Sequence, residues 1–489
     1  RGQLRQEWRT FEIQAGVSSD GLLWEPKVVE DRVAKNADRI EFVVGTQSPG
    51  AGIDLLVDNL RLAPARTTIE NLSRPATRLP DTRIVIAGKP NAIVLHPESD
   101  AGRVASARIG GAIRDSTGAQ IPARPGSASD HQPRQNAILL GNVHTNPALL
   151  LLYARNFTPA DAICPGAGGS LIHTAHDPFG LGANAIIAAA SDDAGIAKAA
   201  DALATLMSRQ PRGPNLALPR IFERDYGPEF LKRIPWAGAT PSDKQLPGGL
   251  ARAQKALDEG RHTSVAGELA NVAKRYRLTG ASIEARLFVA LWDMYLKSAK
   301  ADPRKYGGPW GFDSDFPSGE VVSGWDLIED DPAITDGERL RVMKAMGRWL
   351  AEAVIPKCAS AATGDRVPHN HQTFPALGAM FAGLYYSKGI DTLEGQRWLA
   401  MADAIFGRQA RYFKPYEDCN GYQWLTTGHL MRHAVARPDF TIFENGNGRR
   451  LVDYAIGTMN NLGYQVTYGD TGSWQCWNSE MNCLDRFAF

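Results

Sequence analysis

The chain of 489 residues lacks any run of eighteen apolar residues, so no segment is long enough to cross a bilayer as a helix. It also lacks a charge imbalance: 54 basic side chains against 53 acidic ones leave a net charge of +1. That removes any global pull toward nucleic acid or an anionic membrane. A polyanionic partner would need a local basic cleft, and local Arg clusters exist to line one. Cysteine is scarce: Cys164, Cys358, Cys419, Cys476 and Cys483 make an odd five without zinc-ligand spacing. Free buried thiols, or one disulfide joining Cys476 to Cys483 or Cys419 to either of these, fit that count. A phosphate-binding loop is lacking too. Gly166-Ala167-Gly168-Gly169 runs into the strand-like Ser170–His173 rather than opening a helix, which excludes a nucleotide site. No metal and no cofactor are expected.

What is present is enough apolar residue, 43%, to bury more than one core, and a length that implies two to four domains. Residues 1–64 read as β structure: Trp8–Ile13 and Arg39–Val44 alternate with period two, and Ile53–Leu62 gives a third strand. Its Val57-Asp58-Asn59-Leu60-Arg61-Leu62 ending resembles the last strand of jelly-roll carbohydrate-binding modules. Sixty residues are short for a whole jelly roll, so a partial β-sandwich is expected, with its front half beyond Arg1. A plain structural β domain fits equally well. Residues 65–83, rich in Pro, Arg and Thr, read as a linker.

Residues 84–225 read as a small α/β layer domain. Arg83–Ala87, Ala137–Gly141 and Asn184–Ala190 are short apolar strands. The Ala-rich Asp193–Met207 is a helix capped by Ser191-Asp192. This pattern resembles the accessory domain that precedes the catalytic domain in several polysaccharide-degrading enzymes, and a bracing spacer is the plainer reading. From residue 245 to 489 the pattern is helical. Gly249–Glu259, Thr263–Arg277, Ser282–Ser298, Asp336–Ile355, Thr373–Ser387, Thr392–Phe413, Gln423–Val435 and Gly448–Leu462 are amphipathic or wholly apolar at 3.6-residue spacing. Short breaks join them as antiparallel hairpins, which predicts an incomplete (α/α) toroid or a plain helical array. Tyr464–Tyr468 reads as the start of further β structure, with a C-terminal portion expected beyond Phe489.

The chemistry concentrates in Pro368-His369-Asn370-His371-Gln372-Thr373 and, fifty-one residues on (422 − 371), in Tyr422 of the Tyr416–Trp424 run. Both stand at predicted helix starts, where a negative charge is favoured. Asn370 can donate its amide to a carboxylate. His371 carries an imidazole that can accept a proton. Tyr422 can protonate a departing glycosidic oxygen, or itself act as the base. Such a set, needing no metal, suits abstraction of the weakly acidic C–H proton beside a uronate carboxylate. The plainer alternatives are helix capping by Asn370 and His371 and core packing by Tyr422.

The helical half resembles the polysaccharide lyases with an (α/α) toroid, the alginate lyase and heparinase II/III-type families, over roughly residues 280–489. In those families an Asn-His pair at one helix mouth faces a Tyr from a later helix. Glu417…Gly421-Tyr422…Trp424 is also similar to the Glu-Gly-x-x-Tyr-Trp texture around their tyrosine. This chain departs in having His369 where a second Asn often stands. The resemblance implies cleavage of a uronate-containing glycan by β-elimination, with Asn370, His371 and Tyr422 as the catalytic set. The basic partner would come from Arg411, Arg408 or Arg432. By spacing, seven and eleven residues after Tyr422, His429 and His433 could share its face as a second catalytic His, a structural role being the plainer reading. It also implies an anionic polysaccharide as partner and a secreted or periplasmic setting. Trp310, Trp325 and Trp474, in Gly-rich stretches read as loops, suit stacking on sugar rings, with some of them expected to be packing anchors, and Glu417 would line the substrate cleft. Gly324-Trp325-Asp326 reads as cleft wall. A carboxylate set of Glu417, Asp418 and Asp470 would instead mean hydrolysis. A third reading is a non-catalytic glycan-binding protein.

Overall fold

The computed structural model describes residues 67–239, 242, 244–301, 310–311, 313–364, 366–413 and 420–458. The readings made on residues 1–64, Cys419, Glu417, Asp418, Asp470, Trp474, Cys476 and Cys483 lie outside the described residues.

From Thr82 to Asp225 short strands alternate with helices. Strands β1 (Thr82–Ile86), β2 (Lys89–Pro90), β3 (Ala92–His96), β4 (Ala123–Pro125), β5 (Asn136–Gly141), β6 (Ser170–Ala175), β7 (Ala185–Ala189), β8 (Leu216–Leu218) and β9 (Phe222–Asp225) form two sheets. The larger has the order β4-β3-β5-β7-β6-β9. Its first four strands are parallel, while β6 pairs antiparallel with β7 and β9. The smaller sheet, β2-β1-β8, is antiparallel. Helices α1 (Asp100–Thr117), α2 (Leu150–Ala154) and α3 (Asp193–Ser208) lie among these strands in the chain. Asp192 caps α3, its side chain accepting from the Gly195 N–H, as the Ser191-Asp192 signal predicts. Neither β3 nor α1 stands out in the sequence. The apolar positions of α1 are few, and Gly110-Gly111 sits at its centre, so intrinsic propensity is low. Tertiary burial of Ile109 and Ile113, the Ser99 cap and a left-handed Gly118 stop hold it.

Strands β5 and β7 are apolar on every residue from Ala137 and Ala185 onward, because both faces of the sheet are covered. Ile138, Leu140, Ile186 and Ala188 point into one core with Ile109, Ile113, Ile196 and Leu203 of α1 and α3. Their neighbours Ala137, Leu139, Ala185 and Ile187 point into a second core, which continues into the helices that follow. The sheet and the helical array thus share a core within one unit that begins at Ile69.

The array comprises α4 (Pro228–Arg233), α5 (Gln245–Asp258), α6 (His262–Thr279), α7 (Ser282–Ala301), α8 (Ser318–Ile328), α9 (Asp336–Trp349), α10 (Ile355–Thr363), α11 (Asn370–Ser387), α12 (Leu393–Gln409), α13 (Asn420–Ala436), α14 (Thr441–Glu444) and α15 (Asn447–Gly457). No helix among the described residues is long and apolar enough to cross a membrane.

Two features correct the sequence reading. Gly324-Trp325-Asp326 is not a loop but part of α8. Its glycines serve contact: a Cβ on Gly324 would collide with Ala273 of α6. The helix predicted to stop at Ile355 instead continues to Thr363 through a π turn, Leu350–Val354. Pro356 has no N–H to donate, and the π turn absorbs that break without ending the helix.

Directions follow from contacts. Trp325 donates to the Tyr385 hydroxyl (2.8 Å), and Ser318 of the same helix lies against Gly378, so α8 and α11 run the same way. The Thr373 hydroxyl meets His429 Nδ1 (2.9 Å) and Arg432 lies over Phe381 (4.9 Å), which gives α13 that sense as well. Tyr386 bonds Met343 while Gly378 faces Val354, so α9–α10 opposes α11. Helix α12 opposes both α11, through Gly383 against Leu399 and Tyr386 against Gly395, and α13, through Gln409 with Thr426 and His433 with Asp403.

Candidate active site

Because α8, α11 and α13 share a direction, their N-termini open at one end of the array. The opposite end meets the α/β layer, where Asn156 bonds Ser323 (2.9 Å) and Arg155 donates to the Ala436 carbonyl (3.2 Å).

The mouth of α11 is built by a capping box: His369 is the N-cap, and the Gln372 side chain accepts from the His369 N–H (3.3 Å). His369, rather than Asn370 or His371, therefore terminates the helix, which leaves those two side chains to the first turn. The His371 side chain is 52% exposed, so it is not a satisfied core histidine. Its ring lies tilted against Phe316 (5.4 Å), which stacks on Phe374 (4.3 Å). Asn370 is buried, at 5% exposure.

Asp313, just before α8, carries its carboxylate oxygen to 3.9 Å from His371 Nδ1. That is too long for a hydrogen bond, and it leaves the carboxylate facing the ring. Asp313 adopts a left-handed φ of 59°, tolerated by Asp more readily than by most residues. Nearby Asp315 pairs with Lys357, yet burial holds its carboxyl above the usual range. Asp313, Phe316 and Phe374 escaped the sequence reading. The Asp313-Ser314-Asp315 run before a helix was the available signal.

Tyr422 is half-buried on the first turn of α13, where its carbonyl accepts from the Thr426 hydroxyl (3.1 Å). The register between the helices is set by His429, whose ring meets Thr373 and packs edge-on against Phe374 (4.2 Å). At about 1.5 Å per residue, Tyr422 lies roughly 10 Å toward the mouth from His429, and Asn370 roughly 4–5 Å from Thr373. Asn370 and Tyr422 are then offset along the axis by roughly 6 Å.

Of the cationic candidates, Arg432 pairs with Glu320 (2.6 Å), and Arg408 donates to the Ala361 and Ala362 carbonyls that end α10. Burial opposes ionisation of Glu320, but Arg432 and Arg277 hold its carboxyl well below the usual range. Arg411 is exposed just past the end of α12, at the end where α13 begins, and has no carboxylate partner among the described residues. His433 is buried, bonds Asp403 (3.0 Å) and stacks on Phe406 (4.7 Å), so it serves packing.

The tryptophans are corrected as well. Trp325 is fully buried, donates to Tyr385 and stacks on Phe288 (5.7 Å). Trp310 is buried, donates to Glu352 (2.8 Å) and accepts from Tyr295 through its carbonyl. Their rings are anchors of the helical core, because burial of so large an apolar area outweighs exposure on a loop. Among the described residues no cluster of His, Cys, Asp and Glu is arranged to hold a metal ion. The chain matches no protein-family model, no curated protein and no solved structure.

Proposed function

We propose that this protein is a polysaccharide lyase that cleaves a uronate-containing glycan by β-elimination. The observation that carries the reading is the half-exposed His371 on the first turn of α11, at the same end of the array as Tyr422 on the first turn of α13. In the proposed reaction the uronate carboxylate sits at the mouth of α11, where the helix N-terminus and the Asn370 amide offset its charge. Arg411 supplies the positive charge beside it. Neutralising the carboxylate acidifies the C5 proton, which His371 accepts, and Asp313 stabilises the imidazolium that results. The electron pair left on C5 forms the C4–C5 double bond as the C4–O bond breaks, and Tyr422 gives its proton to the departing oxygen.

The alternating directions of α8 to α13 support an incomplete (α/α) toroid, with α8, α11 and α13 as its inner helices. A β-sandwich glycan-binding module in residues 1–64 and a secreted or periplasmic setting belong to the same proposal.

The test is near-ultraviolet absorbance of unsaturated products from alginate, glucuronan, hyaluronan, chondroitin and heparan. A lyase yields that absorbance on at least one polymer and loses it when the carboxylates are reduced to alcohols. Asn370→Ala should lower kcat more than it raises KM, since its bond strengthens as charge moves onto the carboxylate. Cleavage of the reduced polymer as fast as the native one, or chain shortening without absorbance, overturns the reading in favour of hydrolysis.

A further inference from the structure

At the other end of the array, where it meets the α/β layer, lies a cavity of about 180 Å³ lined by three cations, Arg155, Lys388 and Arg437, and one carboxylate, Asp326. Lys388 is seventeen residues along the chain from His371 (388 − 371), roughly 25 Å at the helical rise, so this cavity is separate from the candidate active site. Two of the cations have partners: Lys388 pairs with Asp326, and Arg437 grips Asp403 through two nitrogens (3.1 and 2.7 Å). Arg155 differs. It is 9% exposed, its Nε donates to the Ala436 carbonyl, and its plane lies over the Phe179 ring (5.3 Å). Neither terminal nitrogen has an acceptor among the described residues. The Ser387 hydroxyl, which also lines the cavity, is buried without a hydrogen-bond partner among the described residues. Burial first, and then repulsion from Arg437, push the Arg155 guanidinium down to about 10, against the opposing pull of Asp326. With Asp326 taken by Lys388 and Asp403 by Arg437, Arg155 is one buried cation in excess, which is costly unless a further anion offsets it.

We infer that this cavity binds a compact carboxylate, held by the terminal nitrogens of Arg155 and by the Ser387 hydroxyl, with its carbon skeleton against Phe157, Phe179 and Phe381. Guanidinium forks match the planar carboxylate, and the apolar walls favour a carbon skeleton over a bare inorganic anion. A cavity of roughly 150 Å³ holds benzene, so the ligand is of about that size. The inference stands independently of the lyase reading, because no residue of the proposed catalytic set lines the cavity.

Isothermal titration of the full chain with pyruvate, benzoate, inorganic phosphate and chloride at one ionic strength tests it. Saturable one-site binding of pyruvate or benzoate, tighter than that of phosphate, is expected. Arg155→Met should weaken it by roughly tenfold or more, as loss of a charge-assisted bond does, and Ser387→Ala by a smaller factor. Tyr422→Phe should leave it unchanged, which separates failure of this inference from failure of the lyase reading. Absent carboxylate binding, phosphate binding as tight, or unaltered affinity in Arg155→Met overturns the inference. Should Arg155→Met fail to fold, Ser387→Ala binding with wild-type affinity overturns it instead.

Discussion

Two histidines at opposite extremes of burial make the sharpest test. The His371 side chain is half exposed, and its contacts are a ring packing on Phe316 and a distant Asp313. His371→Ala opens a half-exposed site and leaves behind one facing atom, the Asp313 carboxylate oxygen 3.9 Å away, so its effect on stability should fall within about 1 kcal/mol. As proton acceptor, however, its loss should lower turnover by roughly 10²–10⁴-fold. His433 is buried, bonds the Asp403 carboxylate and stacks on Phe406. His433→Ala removes a hydrogen bond to a charged group, worth about 1.5–3 kcal/mol, and opens a void besides. A loss of about 3 kcal/mol or more is expected, with activity per folded molecule retained. Thermal unfolding by circular dichroism, set beside initial rates from near-ultraviolet absorbance, reads both quantities. Wild-type turnover in His371→Ala, or destabilisation equal to that of His433→Ala, would refute the assignment of His371 to an exposed catalytic position.

Burial first, and then the Asp330 charge, hold the Glu329 carboxyl up at about 7, against the pull of Arg339 and Lys388. Its folded pKa exceeds its ordinary value, so its contribution to stability is full below pH about 4.5 and is lost as pH rises through about 7. Glu329→Gln, which keeps an acceptor for the Tyr385 hydroxyl (2.9 Å), should flatten the fall in thermal midpoint across that window; an unchanged profile would assign the fall to other groups. A Cβ on Gly383 would lie 2.6 Å from the Leu399 backbone nitrogen, so Gly383→Ala should force α11 and α12 apart. That overpacking costs about 1–3 kcal/mol, more than the gain of up to about 1 kcal/mol in helix propensity, and a raised thermal midpoint would contradict it. Burial pushes the Cys358 thiol up to about 12 and raises that of Cys164 further, so neither should react with a thiol reagent before unfolding, as peptide mapping of labelled native and denatured protein would show.

Local pattern made much of this molecule legible. The α3 cap at Asp192, the strands at Ile138 and Ile186, and helices α5 to α7 and α11 to α13 all follow from periodicity and end signals. So does the start of α11 beside Asn370 and His371. What pattern misjudged has physical causes. Helix α8 hid behind Gly319 and Gly324, residues that weaken an isolated helix but let Phe381 and Ala273 come close. Pro356 mimicked a helix end because its missing N–H is absorbed by a π turn, which only the packed helix supports.

Which residues could do chemistry was readable from the chain alone, because residue type and position at a helix start are local properties. Tertiary structure decided which were exposed to do it. Trp310, Trp325 and His433 have the same chemistry on paper as any cleft residue, and burial alone assigns them to packing. The sheet's second covering layer is equally non-local. Strands apolar on both faces announce that something covers them, but only the fold reveals that the helical array does so. Contacts between residues hundreds of positions apart, such as Arg155 with Ala436, set where the two layers meet. No local periodicity encodes a contact of that range.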